Sequence, residues 1–224
     1  INDHVVNKML LETWNGPIGS LLEIGPGPGA LTDLLKQRVE LEKIPYQVIE
    51  LDRQMAQYWR DQGLYVIEED ALQWHWQKEF FANEAMTEPR VLVSNLPYQI
   101  SSSLVIDRSL DATPLSRMIL MFQKEVAQRI RAQRQTESYG MLSVVAQTFW
   151  QIETVCDVSP GDFLPPPNVA SRVLVFRHKP SPVVDKKKYL TLTENSSKIQ
   201  ITLEDEYRLK DLIDKYKIFE LISW

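Results

Sequence analysis

A single cysteine, Cys156, occurs among the 224 residues. That excludes an internal disulfide and any zinc site built from several thiolates, and leaves Cys156 as a packing residue. Histidine is scarce as well: His4, His75 and His178 are scattered along the chain, so no metal site is expected. No apolar run approaches the roughly 20 residues that cross a bilayer. The opening INDHVVNKML lacks the apolar core of a signal peptide. The expected location is therefore cytoplasmic, with no membrane partner. An excess of positive charge is also missing. The net charge of −5 argues against a generally basic nucleic-acid coat but allows a local phosphate-binding patch. No internal repeat is evident.

What is present suffices for one substantial core with a small appendage, since 44% of the residues are hydrophobic. Apolar runs bounded by turn signals recur as LLEIG, YQVIE, LYVIE, VLVSN and RMILMF, starting at Leu21, Tyr46, Leu64, Val91 and Arg117. Segments of helical character, ALTDLLKQR, DRQMAQYWRDQ and SSSLVIDRSL, lie between them. That alternation predicts a doubly wound α/β domain with a mainly parallel sheet covered on both faces.

After Gln123 the stretch KEVAQRIRAQRQ predicts a long helix. Two β-rich runs follow, FWQIETVCDVS and SRVLVFRH, flanking the turn PGDFLPPPNVA. They are expected to pair antiparallel at the sheet edge. Past Pro180 the sequence turns polar. From about Leu203 it is helical in character, with Tyr207, Leu212, Ile213, Tyr216 and Phe219 near helical spacing. The expected organisation is one domain over residues 1–180 and a short, partly helical appendage over 181–224.

Two stretches carry chemistry. In EIGPGPGALT the glycines Gly25, Gly27 and Gly29 stand between a strand and a helix, where they let the backbone approach a ligand and leave helix amides facing a crevice. Glu50 and Asp70 close the next two strands and face the same crevice if the sheet is open. Glu50 is placed to bind a ribose diol, and Asp70 an adenine amino group. The loop departs from the dinucleotide pattern and lacks the Lys and Ser/Thr of a P-loop, so a nucleoside without phosphate fits better. The second stretch is NLPY, Asn95 to Tyr98, where an apolar strand opens into an amide, a proline and a phenol, groups that can grip a flat polar ligand.

EIGPGPGALT, VIELDR, EEDAL, SNLPYQIS, LMFQKEVAQRI, YGMLSVVAQ and DFLPPPNVASRVLVF, in this order, resemble the ribosomal RNA adenine dimethyltransferase family over about Asn2 to His178. The resemblance implies a class I, Rossmann-like methyltransferase fold using S-adenosyl-L-methionine. It adds Leu51, Ala71 and Asn95 to Gly25, Gly27, Gly29, Glu50 and Asp70 as cofactor-binding residues. Leu96 and the prolines Pro165 to Pro167 look like the small-subunit branch, which dimethylates adenosine N6 in small-subunit ribosomal RNA during ribosome assembly.

Within that resemblance, the Asn95 side-chain oxygen and the Leu96 carbonyl accept the hydrogens of the target amine. Pro97 fixes the turn, and Tyr98 and Phe163 stack on opposite faces of the base. Among basic residues near the mouth, Arg131 and Arg134 are the preferred phosphate contacts. The expected partner is small-subunit rRNA or its assembling particle, and the protein is expected to be a monomer. Two alternatives stay open: a large-subunit enzyme of the macrolide-resistance type, and a noncatalytic RNA-binding or transcription factor on the same fold. The family's cofactor-closing segment is expected just before INDHVV, and the run after Pro180 departs from its helical C-terminal domain.

Overall fold

A computed structural model describes residues 1–179, apart from Ala112. Seven strands, β1 (Ser20–Ile24), β2 (Tyr46–Ile49), β3 (Tyr65–Ile67), β4 (Arg90–Asn95), β5 (Arg117–Gln123), β6 (Trp150–Val158) and β7 (Ser171–His178), form one sheet. Among the described residues six α-helices accompany them: α1 (Asp3–Thr13), α2 (Thr32–Glu42), α3 (Arg53–Asp61), α4 (Ser101–Leu110), α5 (Lys124–Ile130) and α6 (Met141–Phe149). The strand order is β3-β2-β1-β4-β5-β7-β6. The first five strands are parallel, and β7 runs antiparallel to both β5 and β6. The expected hairpin exists, with its second strand inserted next to β5 and β6 left as the edge. All five residues of β1 are buried, as a strand covered by helices on both faces requires.

On one face α1 and α2 bring Val5, Met9, Leu35 and Val39 against Leu21, Val93, Ile119 and Val175. The other face packs Leu104 and Val105 of α4, Ile130 of α5 and Phe149 of α6 against Leu22, Leu92, Leu120 and Phe176. Trp74, Trp76 and Phe80, from the segment after β3, join this second layer. Each such side chain contributes roughly 1.5–3 kcal/mol on full burial. Isolated helices below about 12 residues are marginal in water, so the packed faces, more than propensity, hold helices as short as α5.

One local expectation changes, and two helices are added. The helix expected through Gln135 stops at Ile130, and Gln135 has a positive φ of 69°. Side chains of α6 account for the stop. Ser143 Oγ donates to the Arg129 carbonyl, and Gln147 Nε2 donates to the carbonyls of Ile130 and Ala132, both at 2.9 Å. These bonds replace the amides of a further turn. Helices α1 and α6 were not expected as elements. The tail face of Tyr207, Leu212, Ile213, Tyr216 and Phe219, with the whole 181–224 region, lies outside the described residues. Among the described residues no helix is long and apolar enough to cross a membrane.

Because β1 pairs with β2 on one side and β4 on the other, the carboxyl ends of β1 and β4 flank the point where strand order reverses. Open α/β sheets bind ligands in the crevice at that point.

Candidate active site

The glycine loop leaves β1 with the Gly25 amide donating to the Ile49 carbonyl at 2.9 Å, which ties it to the end of β2. A Cβ on Gly25, whose φ is +64°, would lie 3.5 Å from Pro97 Cδ. Pro97 of the NLPY turn thus lies within a methyl group's reach of the loop. Gly29 has a second reason to be glycine: at φ +95°, a Cβ there would come within 2.6 Å of the Trp59 ring. Trp59, buried in α3, also donates its Nε1 to the Gly27 carbonyl at 3.0 Å. It supports the loop from beneath. Nothing in DRQMAQYWRDQ signals this, because the contact exists only once α3 folds back over the loop.

Glu50 is buried at the end of β2. Its Oε1 accepts from the Asp52 amide at 2.9 Å and its Oε2 from the Gly27 amide at 3.4 Å. A carboxylate on a loop amide repels a phosphate but can accept hydroxyl hydrogens, which matches the reading of a nucleoside without phosphate. The Glu50 amide bonds the Ile67 carbonyl at 2.9 Å, so β3 ends beside it. Just beyond, half-buried Asp70 accepts from the Leu72 amide at 2.9 Å and from Gln73 Nε2 at 3.4 Å. Leu51 is 69% exposed, an unusual apolar surface, whereas Ala71 is buried.

Glu23, in β1 under the loop, is a buried acid that motif reading did not single out. It accepts hydrogen bonds from Thr32 Oγ1 at 3.1 Å and from the Tyr46 hydroxyl. Burial pushes its carboxyl up from 4.5 to about 7, against the lowering effect of those two donors. Tyr46 is pushed well above its ordinary value by burial and by Glu23.

Asn95 ends β4 opposite Met121 of β5. Ser94 Oγ donates to the Ile24 carbonyl, which stitches the ends of β4 and β1 together. Asn95 is half-buried, Leu96 buried and Pro97 exposed. The Tyr98 carbonyl accepts from Ser101 Oγ at 3.0 Å, and its hydroxyl lies 3.2 Å from Ser171 Oγ. Phe163 follows a 3-10 turn, Pro160–Asp162, and is half-buried against the α1 and α2 face of the core. No ring contact joins Phe163 to Tyr98 among the described residues. The turn is anchored instead: Asp162 accepts from the Ser159 amide and hydroxyl, both at 2.8 Å, and its carbonyl accepts from the Asn2 amide at 2.7 Å.

The basic residues are partly committed to protein. Lys124 lies 3.1 Å from Asp157, which also pairs with Arg172. The Arg172 hydrogen bond, aided by Lys124, draws the Asp157 carboxyl down to about 2. Arg131 is exposed and donates to Thr154 Oγ1, and Arg134 is exposed.

A model of the ribosomal RNA adenine dimethylase family matches residues 1–201. The ribosomal RNA small subunit methyltransferase A of Bdellovibrio bacteriovorus is 52% identical over 194 residues, covering 87% of this chain and 68% of that protein. The protein of the same name from Bacillus cytotoxicus is 30% identical, over 83% of this chain and 64% of its own length. The chain thus spans about two thirds of the length of these curated relatives. A dimethyladenosine transferase from Plasmodium falciparum superposes with a TM-score of 0.65 at 27% identity, covering 80% of this chain and 62% of that one. The Rossmann-like fold of class I methyltransferases is common to both. With a family model running through the whole sheet and a relative identical at half of the aligned positions, the chain belongs to the ribosomal RNA adenine dimethylase family.

Proposed function

We propose that this chain carries the catalytic domain of an S-adenosylmethionine-dependent enzyme that dimethylates adenosine at N6 in small-subunit ribosomal RNA during ribosome assembly. The observation that carries this reading is the closeness of Gly25 to Pro97, where a side-chain methyl would just reach the proline, so that the glycine loop and the NLPY turn border one crevice. The names of the relatives favour the small subunit over the large one.

Bound S-adenosylmethionine supplies a methyl group on a sulfonium sulfur that departs as a neutral thioether. The chain's own part is binding and aim. Glu50 accepts the ribose hydroxyls, and its existing bond to the Gly27 amide already shapes the loop around that position. Asp70 accepts from the adenine amine, with Leu51 and Ala71 beside it. Adenine N6 is a weak nucleophile because its lone pair is delocalised into the ring. The Asn95 side-chain oxygen and the Leu96 carbonyl, each accepting one N6 hydrogen, favour a tetrahedral nitrogen with its lone pair free to attack. Tyr98 and Phe163 hold the base between their faces. The methylated ammonium is acidic and loses its proton to water, so no strong general base is needed. Arg131 and Arg134 contact phosphate near the mouth.

The test is incubation of the protein with methyl-labelled S-adenosylmethionine and unmodified small-subunit RNA or particles. Mass spectrometry of the digested RNA should reveal N6,N6-dimethyladenosine. A folded, cofactor-binding protein that leaves both substrates unmodified would overturn the reading.

A further inference from the structure

Tyr98 and Ser171 are 73 residues apart in sequence, yet their hydroxyls lie 3.2 Å apart. Ser171 is fully buried. It is the first residue of β7, opposite Gln123 of β5 and Val158 of β6, so it stands at the same end of the sheet as the NLPY turn. It also closes the connection from β6 to β7 that carries Phe163. That connection is held at its far end by the Asp162 bonds to Ser159 and Asn2, and at its near end by the Lys124 amide on the Ala170 carbonyl at 2.9 Å.

The other bonds around Tyr98 are made by its main chain. Ser101 Oγ holds the Tyr98 carbonyl, and the Ile100 amide bonds the Pro97 carbonyl at 3.2 Å. Such bonds fix where the Tyr98 backbone sits but leave the first side-chain torsion free to swing the ring. A hydrogen bond at the phenol oxygen, the atom farthest from the backbone, restrains that swing. A buried hydroxyl without a partner is costly, so Ser171 has reason to keep Tyr98.

We infer that Ser171 is a positioning residue: through its hydroxyl it holds the ring of Tyr98 in place and ties that ring to the loop that carries Phe163. The inference rests on the proposed function only in taking the target adenine as what the ring receives. Ser171 itself does not touch the base. Its effect belongs to the alignment of the base before transfer, and cofactor affinity should not depend on it.

The experiment is a double-mutant cycle read by single-turnover methylation of unmodified small-subunit particles at saturating S-adenosylmethionine and subsaturating particles. Ser171→Ala is expected to slow methylation about fivefold, the size of one orienting hydrogen bond. Ser171→Thr, which keeps the hydroxyl, should stay within about twofold of the wild type. In a Tyr98→Phe background, already slowed, adding Ser171→Ala should change the rate less than about twofold, because the shared bond is gone. Calorimetry should show unchanged S-adenosylmethionine affinity in all variants. Equal slowing by Ser171→Ala in both backgrounds, or none in either, would overturn the inference. Tyr98→Phe leaves β7 intact and so supplies the same test should Ser171→Ala fail to fold: a wild-type rate in that variant would also overturn it. A readout that needs no methylation is fluorine NMR of the full chain with 3-fluorotyrosine at position 98. Ser171→Thr should leave the signal sharp, and Ser171→Ala should shift and broaden it; an unmoved signal overturns the inference. Absent methylation by a cofactor-binding wild type defeats the proposed function alone, and the fluorine signal still decides the role of Ser171.

Discussion

In the proposed function Glu50 serves two purposes at the residue scale. Its carboxylate accepts from the Gly27 and Asp52 amides, which shapes the loop, and it offers the acceptor that a ribose diol needs. Glu50→Ala removes both and should weaken S-adenosylmethionine binding at least about tenfold by calorimetry, since hydrogen bonds to a charged group are worth about 1.5–3 kcal/mol. Unchanged affinity in a folded variant would remove Glu50 from the site. Asn95 should behave differently. In the proposed function it holds the target amine, so Asn95→Ala is expected to slow the single-turnover chemical step on the order of a hundredfold while leaving cofactor affinity nearly intact. Phe163 is half-buried in packing as well as available to a base. Losing one face of a base stack costs about 1–3 kcal/mol, so Phe163→Ala should reduce methylation at subsaturating RNA, and Phe163→Tyr should restore most of it. A wild-type rate in the alanine variant would leave Phe163 a packing residue only.

At the scale of elements, the glycine loop depends on α3. Gly29 sits at φ +95° directly against the Trp59 ring, so Gly29→Ala meets both backbone strain and a clash with a buried tryptophan. The expected result is a lower Tm together with weakened cofactor binding. A variant as stable as the wild type would show that α3 can shift without disturbing the loop. The end of α5 is likewise made by a neighbour. Gln147→Ala leaves the Ile130 and Ala132 carbonyls without their donor, and should destabilise the protein by about 1–3 kcal/mol in urea unfolding. If stability is unchanged, water replaces the amide and the stop of α5 has another cause.

For the whole molecule, Glu23 sets a pH dependence. Its carboxyl stands at about 7 in the folded protein against an ordinary 4.5, because it is buried under the glycine loop. The folded state therefore holds a proton that the unfolded chain has already released. Stability from this group is fully present below about pH 4.5, declines as the pH rises to about 7, and is level above that. Glu23→Gln, which cannot titrate, should flatten the slope of unfolding free energy between those limits, whatever its effect on absolute stability. A slope equal to that of the wild type in a urea series would show that Glu23 is not the group responsible. Asp157 acts in the opposite direction: held near 2 by Arg172 and Lys124, it adds stability that is lost as the pH falls from 3.8 toward 2. Its exposure keeps that contribution small.

The sequence by itself determined the alternation of strands and helices, the parallel sheet and the two loops at its carboxyl end. Those features rest on local signals: continuous apolar runs, glycines after a strand, and a polar turn where a buried strand ends. EIGPGPGALT and NLPYQIS were legible as loops at strand ends because their turn signals are carried by adjacent residues. Trp59 beneath Gly27, Glu23 against Tyr46, and Ser171 against Tyr98 were not, because each partner is supplied by a distant segment that only the fold brings near. The same holds for α5. KEVAQRIRAQRQ has the composition of a longer helix, and only the side chains of Ser143 and Gln147, arriving from α6, decide that its carbonyls turn outward after Ile130. Local propensity differs between helix and turn by fractions of a kcal/mol per residue, less than one well-placed tertiary hydrogen bond to a buried carbonyl, so packing decides where the sequence is ambivalent.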